Sequence, residues 1–432
     1  MRSRECVLWA ATIAGVAPAL SGCSGSGGAA VLGDAGGGGP DGGAGALSDG
    51  APVASSGVCG FSQPVTYGAA GPDGLVDVPA NDPNIHYEGR IDCSKPLSPQ
   101  FAFPGVSIRA HFQGDSIAIK LTDFGNGSPT KTNYYDVIVD HGAPTTLQAS
   151  ASQSVYPLAS GLGPGDHEVE VVKRNEAMVG SGIFQGFRIR AGTKLLPTVA
   201  RPHRLEFIGD SITCGYGDML SVSDPSMSHF TSANENETLA WGAVSARALN
   251  AELMVVAYSG KGVYRNYEDG VGPTIPELYL KSLPNNSSAA AWNPAVAVPD
   301  VVVINLGTND FSLVVNPSVD GGVGMVDDAA FISAYDAFLL ALRGYYPKAT
   351  MIVALGPMIS DDYPAGYRAW TNIQADAIRV VADRNMAGDP DVHVLVIPPQ
   401  SAPYGEDYHP TVAEQQSMSD QVVTMIKQIK GW

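Results

Sequence analysis

Hydrophobic and polar residues alternate with different periods in two parts of this chain, and the change falls near residue 200. Before it, short runs alternate apolar and polar residues between turn-forming residues, at 106–112, 116–121, 134–139, 168–172 and 183–189. A period of two at this spacing is typical of antiparallel strands packed in two sheets. The pattern predicts an all-β sandwich of the jelly-roll type over residues 75–195.

Beyond residue 200 the apolar runs become nearly continuous, at 205–208, 253–258, 301–306, 351–355 and 392–397. Stripes with helical periodicity lie between some of these runs. Their members are Phe331, Tyr335, Phe338, Leu339 and Leu342, followed by Ile373, Ile378 and Val381. Apolar strands that alternate with amphipathic helices indicate a parallel sheet covered on both faces. We predict an α/β three-layer sandwich with a flavodoxin-like parallel sheet over residues 200–432.

The first 74 residues fit neither pattern. Arg2 and Arg4 precede an apolar run over residues 7–20, which is too short to span a bilayer and is typical of an export signal. The small residues before Cys23 resemble the processing site of bacterial lipoproteins, in which that cysteine is acylated. This indicates a lipoprotein signal peptide at 1–23, with a plain secretory signal as the alternative. The Gly/Ala/Ser-rich stretch over 24–74 would then be a flexible linker, and the protein would be exported and anchored at the cell envelope.

Charge and cysteine content narrow the range of partners. The chain has 25 Lys+Arg against 43 Asp+Glu and a formal net charge of -18, which argues against nucleic acids and anionic lipids as partners. Neutral substrates fit better. Export would permit a disulfide between Cys59 and Cys93, but their spacing leaves the pairing open. Cys214 is expected to be a small buried thiol.

Four clusters of polar residues follow predicted strands of the second domain. They are Gly209-Asp210-Ser211, Ser259-Gly260-Lys261-Gly262, Gly307-Thr308-Asn309-Asp310 and Glu406-Asp407-Tyr408-His409. In an open parallel sheet, ligands bind outside the carboxyl ends of the strands. All four clusters are therefore expected at one rim of the sheet.

These clusters contain the groups that acyl transfer requires. A serine hydroxyl needs an adjacent base, and Ser211 and His409 can fill these roles. The developing oxyanion needs fixed donors, which the backbone N–H groups of Ser211 and Gly260 and the side-chain amide of Asn309 can provide. No histidine or acidic spacing resembles a zinc site, and the glycine-rich segments lack the Lys-Ser/Thr of a P-loop. We predict neither a metal nor a cofactor.

In their order and spacing, the segment 207–213, Gly260, Asn309-Asp310 and Asp407-Tyr408-His409 resemble the four blocks of SGNH/GDSL hydrolases. The resemblance extends from Arg204 to residue 432 and implies Ser211 as nucleophile, His409 as base, and Gly260 and Asn309 as oxyanion donors. The preceding sandwich narrows it to carbohydrate esterase family 2. The segments 134–139, 158–162, 167–174, 259–263 and 276–279 are also similar to segments of that family. Its members deacetylate xylan and related plant polysaccharides, which implies an acetylated polysaccharide or oligosaccharide as substrate.

The acidic partner of the base is less well defined. A carboxylate beside the histidine would hold the required imidazole tautomer. The common SGNH pattern places this acid three residues before the histidine, where Glu406 stands, whereas Asp407 is two residues before it. Some family 2 esterases use a Ser-His dyad supported by a backbone carbonyl. We favour Asp407 as the third catalytic residue.

The substrate-binding aromatic residue and the overall function also have alternatives. Tyr279 is the preferred sugar-stacking candidate over Trp241 and Trp292, although each could instead belong to the core. The favoured function is a serine esterase that removes acetyl groups from polysaccharide. The alternatives are a polysaccharide-binding lipoprotein whose esterase activity is incidental or lost, and an esterase of lipids or small esters.

Overall fold

The computed structural model describes residues 56–312, 326–362 and 366–432. Cys23 and the predicted signal peptide lie outside the described residues, as does most of the predicted linker. The described residues form an antiparallel β sandwich followed by an α/β domain with a parallel sheet. Both predicted fold classes are confirmed. The described part contains no helix that is long and apolar enough to cross a membrane.

The sandwich is built from twelve short strands in two antiparallel sheets. They are β1 (Leu75–Val78), β2 (Ile85–Glu88), β3 (Ile91–Asp92), β4 (Gln100–Phe101), β5 (Ser107–Gln113), β6 (Ser116–Asp123), β7 (Tyr134–Val139), β8 (Thr145–Gln148), β9 (Val155–Ser160), β10 (Asp166–Lys173), β11 (Gly182–Arg190) and β12 (Leu195–Leu196). One sheet has the order β3-β4-β11-β6-β9 with β1 beside β11, and the other β12-β5-β10-β7-β8 with β2 beside β5. Alternate apolar residues of both sheets, such as Phe112 and Phe187, fill one core between them.

The cysteines of the described part fall into two classes. Cys59 and Cys93 form a disulfide with their Cα atoms 5.5 Å apart, so the pairing that the spacing left open is present. The bond joins the chain before β1 to the segment after β3. Cys214 is a free and buried thiol, as expected.

The α/β domain has five parallel strands, in the order β14-β13-β15-β16-β17. They are β13 (His203–Gly209), β14 (Ala251–Ala257), β15 (Val301–Asn305), β16 (Thr350–Leu355) and β17 (Val392–Val396). The helices are α1 (Ser211–Cys214), α2 (Trp241–Ala248), α3 (Ile275–Leu278), α4 (Asp328–Tyr345), α5 (Ala369–Met386) and α6 (Val412–Lys430). Relative to the chain, the strand order is 2-1-3-4-5, which is the predicted flavodoxin-like order.

Helices cover both faces of this sheet. Successive strand residues point to opposite faces, and each set packs against different helices. Val302 and Ile304 belong to one core, with the α4 and α5 side chains. Val301 and Val303 belong to another, with the α2 and α6 side chains. The predicted α4 stripe is buried throughout, whereas Ile378 of the predicted α5 stripe is 45% exposed and lies outside the core. Its spacing of five residues from Ile373 places it away from the buried face.

Candidate active site

The nucleophile candidate lies at the tight turn between β13 and α1. Ser211 is the first residue of α1, and the Asp210 carboxylate caps this helix by accepting the Ile212 N–H at 3.0 Å. A Cβ atom on Gly209 would lie 2.1 Å from the Thr213 hydroxyl oxygen, so the turn requires glycine there. The turn presents the Ser211 side chain at the carboxyl end of the sheet, where the sequence predicted it.

His409 supplies the base. Its Nε2 atom lies 2.7 Å from Ser211 Oγ, and its Nδ1 atom lies 2.9 Å from the carbonyl oxygen of Glu406. Because a carbonyl oxygen can only accept, the ring proton belongs on Nδ1 and Nε2 is the acceptor. This tautomer lets His409 take the proton of the Ser211 hydroxyl.

The environment of the imidazole keeps it neutral. The Tyr216 ring stacks on the His409 ring, with centroids 4.0 Å apart and planes at 24°. Burial lowers the pKa of His409 to about 4, against the raising effect of the Glu406 carbonyl and the Asp407 charge. The base is therefore in its proton-accepting form at neutral pH.

Asp407 does not take the position predicted for a catalytic acid. Its carboxylate accepts from the Tyr216 hydroxyl at 2.6 Å, from His229 Nδ1 at 2.9 Å and from the Phe230 N–H at 3.2 Å. The backbone at Asp407 is left-handed, with φ of 47°, and its side chain bonds to the segment of His229 instead of the His409 ring. The predicted direct contact with the base is wrong, because a main-chain carbonyl accepts the Nδ1 proton.

The Glu406 side chain is not the acid either. It is buried and accepts from the Thr231 N–H at 2.9 Å, the Thr231 hydroxyl at 2.8 Å and the Asn234 amide at 2.7 Å. These three bonds fix the residue whose carbonyl oxygen faces His409. The Glu406 side chain therefore supports the base through its own main chain.

The predicted oxyanion donors differ in whether a protein group already accepts their hydrogen atoms. Within the described ranges, the N–H groups of Ser211 and Gly260 have no protein acceptor. Asn309 Nδ2 donates to Asp210 Oδ2 at 3.1 Å and to the Lys261 carbonyl at 2.9 Å. An oxyanion would have to share one of these two amide hydrogens, so a donor role for Asn309 stays a prediction. What the structure shows is that Asn309 links the first and second clusters.

Comparison with known proteins extends over both domains. A family model described as carbohydrate esterase 2 N-terminal matches residues 87–198, and one for the GDSL-like lipase/acylhydrolase family matches residues 207–416. A solved family two carbohydrate esterase from Clostridium thermocellum, in complex with cellohexaose, is 35% identical with a TM-score of 0.71 and covers 81% of this chain and 99% of that chain. The chain belongs to carbohydrate esterase family 2. The predicted resemblance to this family and to SGNH hydrolases is confirmed.

Further relatives of this family 2 chain differ in length. Cellulase/esterase CelE of Acetivibrio thermocellus is 34% identical over 354 residues, which are 82% of this chain but 40% of the relative. An acetylxylan esterase / glucomannan deacetylase of Cellvibrio japonicus is 26% identical and covers 82% of this chain and 91% of the relative. This chain thus spans less than half of CelE but nearly all of the Cellvibrio protein.

The aromatic residue predicted to bind sugar lies in the core of this family 2 chain. Tyr279 is 1% exposed, and its hydroxyl group bonds to Glu206 and Tyr346, each at 2.9 Å. Trp241 and Trp292 are buried as well. The prediction for Tyr279 is wrong because the residue directly follows α3, and its side chain packs with Ile275 against strand residues of the parallel sheet.

One cluster in the described part of the chain has the residue types of a metal site. Ligand atoms of His86, Glu88 and Glu252 lie within 4.8 Å of one another. However, Glu88 already pairs with Arg109 at 2.8 Å and Arg201 at 2.7 Å, and Glu252 pairs with His86 at 2.8 Å. Arg204 also pairs with Glu252, so a cation would face three guanidinium groups there. The cluster therefore fits an ion-pair network between the domains better than a metal centre.

Tyr216 and Asp310 support the site through contacts that the sequence did not indicate. Tyr216 stacks on the base, although nothing in the Gly-Tyr-Gly sequence indicates this contact. Asp310 accepts the N–H groups of residues 263–265 at 3.1, 2.7 and 2.9 Å and so fixes the chain after Gly260. Asp310 belongs to the third polar cluster of the sequence, but spacing alone does not identify its hydrogen-bond partners.

Proposed function

We propose that this family 2 chain is a serine esterase that removes O-acetyl groups from plant polysaccharide of the xylan or glucomannan type. The observation that carries the proposal is the 2.7 Å contact between Ser211 Oγ and His409 Nε2, in the tautomer that a general base requires. Two N–H groups without a protein acceptor, those of Ser211 and Gly260, accompany this pair in the described residues.

The reaction follows from this arrangement. Ser211 Oγ attacks the acetyl carbonyl carbon as its proton passes to His409 Nε2. The carbonyl oxygen becomes an oxyanion that the Ser211 and Gly260 N–H groups stabilise. The bond to the sugar oxygen then breaks and His409 returns the proton to that oxygen, which leaves an acetyl-serine. A water molecule then gives its proton to His409 and attacks the acetyl carbon. The bond to Ser211 Oγ breaks, His409 returns the proton to Ser211, and acetate is released.

Three features support a neutral carbohydrate as the substrate. The relatives from Cellvibrio japonicus are named acetylxylan esterase / glucomannan deacetylase, and a Clostridium thermocellum relative was solved with cellohexaose. The net charge of -18 disfavours anionic polymers. Tyr408, directly before the base, is 50% exposed, and Tyr267, whose N–H bonds to the Gly260 carbonyl at 2.9 Å, is 54% exposed. Exposed rings of this kind can stack on sugars.

The test is acetate release from acetylated xylan and acetylated glucomannan by the wild type and by Ser211→Ala. We expect release by the wild type alone, and the ratio of the two rates ranks the polymers. Retained polymer binding without acetate release would instead favour the binding-protein alternative. Faster cleavage of long-chain than of acetyl esters would favour the lipid-esterase alternative.

We also propose that the protein is exported and anchored at the cell envelope through a lipid on Cys23. Support comes from the apolar run over residues 7–20 and the small residues before Cys23. The Cys59–Cys93 disulfide is compatible with an oxidising compartment. Expression in a bacterial host with a labelled fatty acid should label the wild type but not Cys23→Ser. Equal labelling of both would contradict the anchor.

A further inference from the structure

A segment of the sandwich is buried against the α/β domain beside the active site. The segment comprises residues 173–176 at the end of β10, and we call it the sandwich wedge. Lys173, Asn175 and Glu176 are fully buried. The Asn175 amide donates to the Ser232 carbonyl at 2.7 Å, and the Glu176 N–H donates to Glu235 Oε2 at 3.1 Å. The wedge is thus tied into the α/β domain by its main chain and its side chains.

The Glu176 carboxyl group contacts the chain next to a predicted oxyanion donor. Its Oε2 atom accepts the Ser259 N–H at 2.9 Å, and its Oε1 atom accepts the Ser259 hydroxyl. Ser259 immediately precedes Gly260, whose N–H has no protein acceptor in the described part of the chain. The Ser259 N–H that Glu176 holds and the Gly260 N–H that would bind the oxyanion thus belong to consecutive residues.

The chain on both sides of Gly260 also bonds within the α/β domain. The Lys261 carbonyl accepts from Asn309 Nδ2 at 2.9 Å, and the Tyr258 N–H donates to the Gly209 carbonyl at 3.3 Å. Gly260 has φ of 77°, in the left-handed region that glycine adopts without strain. Without Glu176, this short segment would keep its α/β contacts and lose those of Ser259.

We propose that Glu176 is a positioning residue of the esterase, by which the sandwich sets the direction of the Gly260 N–H toward the oxyanion. This inference rests on the proposed function. Glu176 touches no reacting atom and exchanges no proton with the substrate. Its effect arises because a donor displaced by about 1 Å can lower the rate about 10²-fold. The sandwich is then part of the catalytic unit and not only a neighbouring fold.

The replacement that preserves this contact is glutamine. Burial raises the pKa of Glu176, which favours the neutral acid. A neutral side chain still offers one carbonyl oxygen to the Ser259 N–H, and glutamine offers the same oxygen at nearly the same place. Alanine removes both bonds to Ser259.

The experiment compares Glu176→Gln and Glu176→Ala with a control at the same domain interface. Thr238→Val serves as that control, because the Thr238 hydroxyl bonds to Asp136 of the sandwich at 2.5 Å and not to the segment of Gly260. The substrate is 4-nitrophenyl acetate, active sites are titrated, and hydrogen exchange is followed in the peptide over residues 258–263. This ester reports the chemistry independently of any polysaccharide.

We expect Glu176→Ala to lower kcat about 10²-fold, with KM changed less than threefold and faster exchange in the 258–263 peptide. Glu176→Gln should stay within about fivefold of the wild-type kcat, and Thr238→Val within about twofold. Equal losses of kcat in Glu176→Ala and Thr238→Val, or an unchanged kcat in Glu176→Ala, would overturn the inference.

A second variant covers the case in which Glu176→Ala does not fold. Ser259→Ala removes one of the two bonds from the opposite side and leaves the sandwich intact, and it should lower kcat about tenfold. An unchanged kcat in this variant would overturn the inference. This outcome differs from a failure of the proposed function. A wild type that cleaves the nitrophenyl ester but no polysaccharide refutes only the proposed polysaccharide substrate. A wild type that cleaves neither refutes both proposals.

Discussion

The base side of the active site is held by residues of the α/β domain, whereas the oxyanion side also depends on a residue of the sandwich. Beside His409, the Glu406 carboxylate accepts hydrogen bonds from Thr231 and Asn234, which hold the residue whose carbonyl faces the imidazole. Beside Gly260, Ser259 is fixed by Glu176. The two sides thus differ in which domain supplies their support, and the following variants separate their contributions.

The largest effect is expected when the base itself is removed. His409→Ala should lower kcat roughly 10⁶-fold, because Ser211 then has no acceptor for its proton. Turnover of 4-nitrophenyl acetate with titrated active sites measures this loss. His393→Ala is the matched control, since His393 Nε2 contacts Asp391 at 3.3 Å and no catalytic group. A similar loss in both variants would contradict the assignment of the base.

Removing the support of the base should have a smaller effect. Glu406→Ala deletes the three hydrogen bonds that fix the carbonyl facing His409. We expect kcat to fall about 10²-fold with little change in KM, because a misplaced imidazole impairs chemistry more than binding. Glu406→Gln, which retains an acceptor oxygen, should recover most of this loss. A kcat of Glu406→Ala equal to that of the wild type would show that the carbonyl needs no such support.

The effect of replacing Asp407 shows whether a carboxylate or a main-chain carbonyl supports the base. Since its carboxylate contacts Tyr216 and His229 instead of the imidazole, Asp407→Ala should lower kcat less than about tenfold. Removal of an acid that bonds directly to a catalytic histidine costs about 10⁴-fold in other hydrolases. A loss of that size, measured on the same ester, would reinstate Asp407 as the third catalytic residue.

The smallest expected effect is that of pH on kcat/KM. The reaction needs neutral His409, and burial lowers the pKa of His409 to about 4. As pH falls from 8 to 5, kcat/KM should therefore stay within about twofold and decline only near pH 4. A histidine with its ordinary pKa of about 6.5 would lose roughly thirtyfold over the same range. An acid limb of kcat/KM near 6.5 would contradict the buried, neutral base.

The parts predictable from sequence are those set by short-range patterns. The five parallel strands and the α4 stripe followed from apolar periodicity, and Ser211 and His409 followed from the rule that places active groups beyond the strands. The third partner of the base could not be predicted, because a main-chain carbonyl leaves no signature in residue identity. Glu176 was missed because it belongs to the sandwich, to which the rule on the ends of parallel strands does not apply. Tyr279 was misassigned because an aromatic side chain suits a core and a sugar site equally well.

The most direct test of this account compares the kcat of Asp407→Ala with that of Glu176→Ala, both on 4-nitrophenyl acetate and per titrated active site. The base relies on a main-chain carbonyl, and we propose that the oxyanion side relies on the sandwich. This arrangement predicts a loss at least about tenfold larger in Glu176→Ala than in Asp407→Ala. The reverse order, with a loss near 10⁴-fold in Asp407→Ala and nearly wild-type turnover in Glu176→Ala, would contradict it.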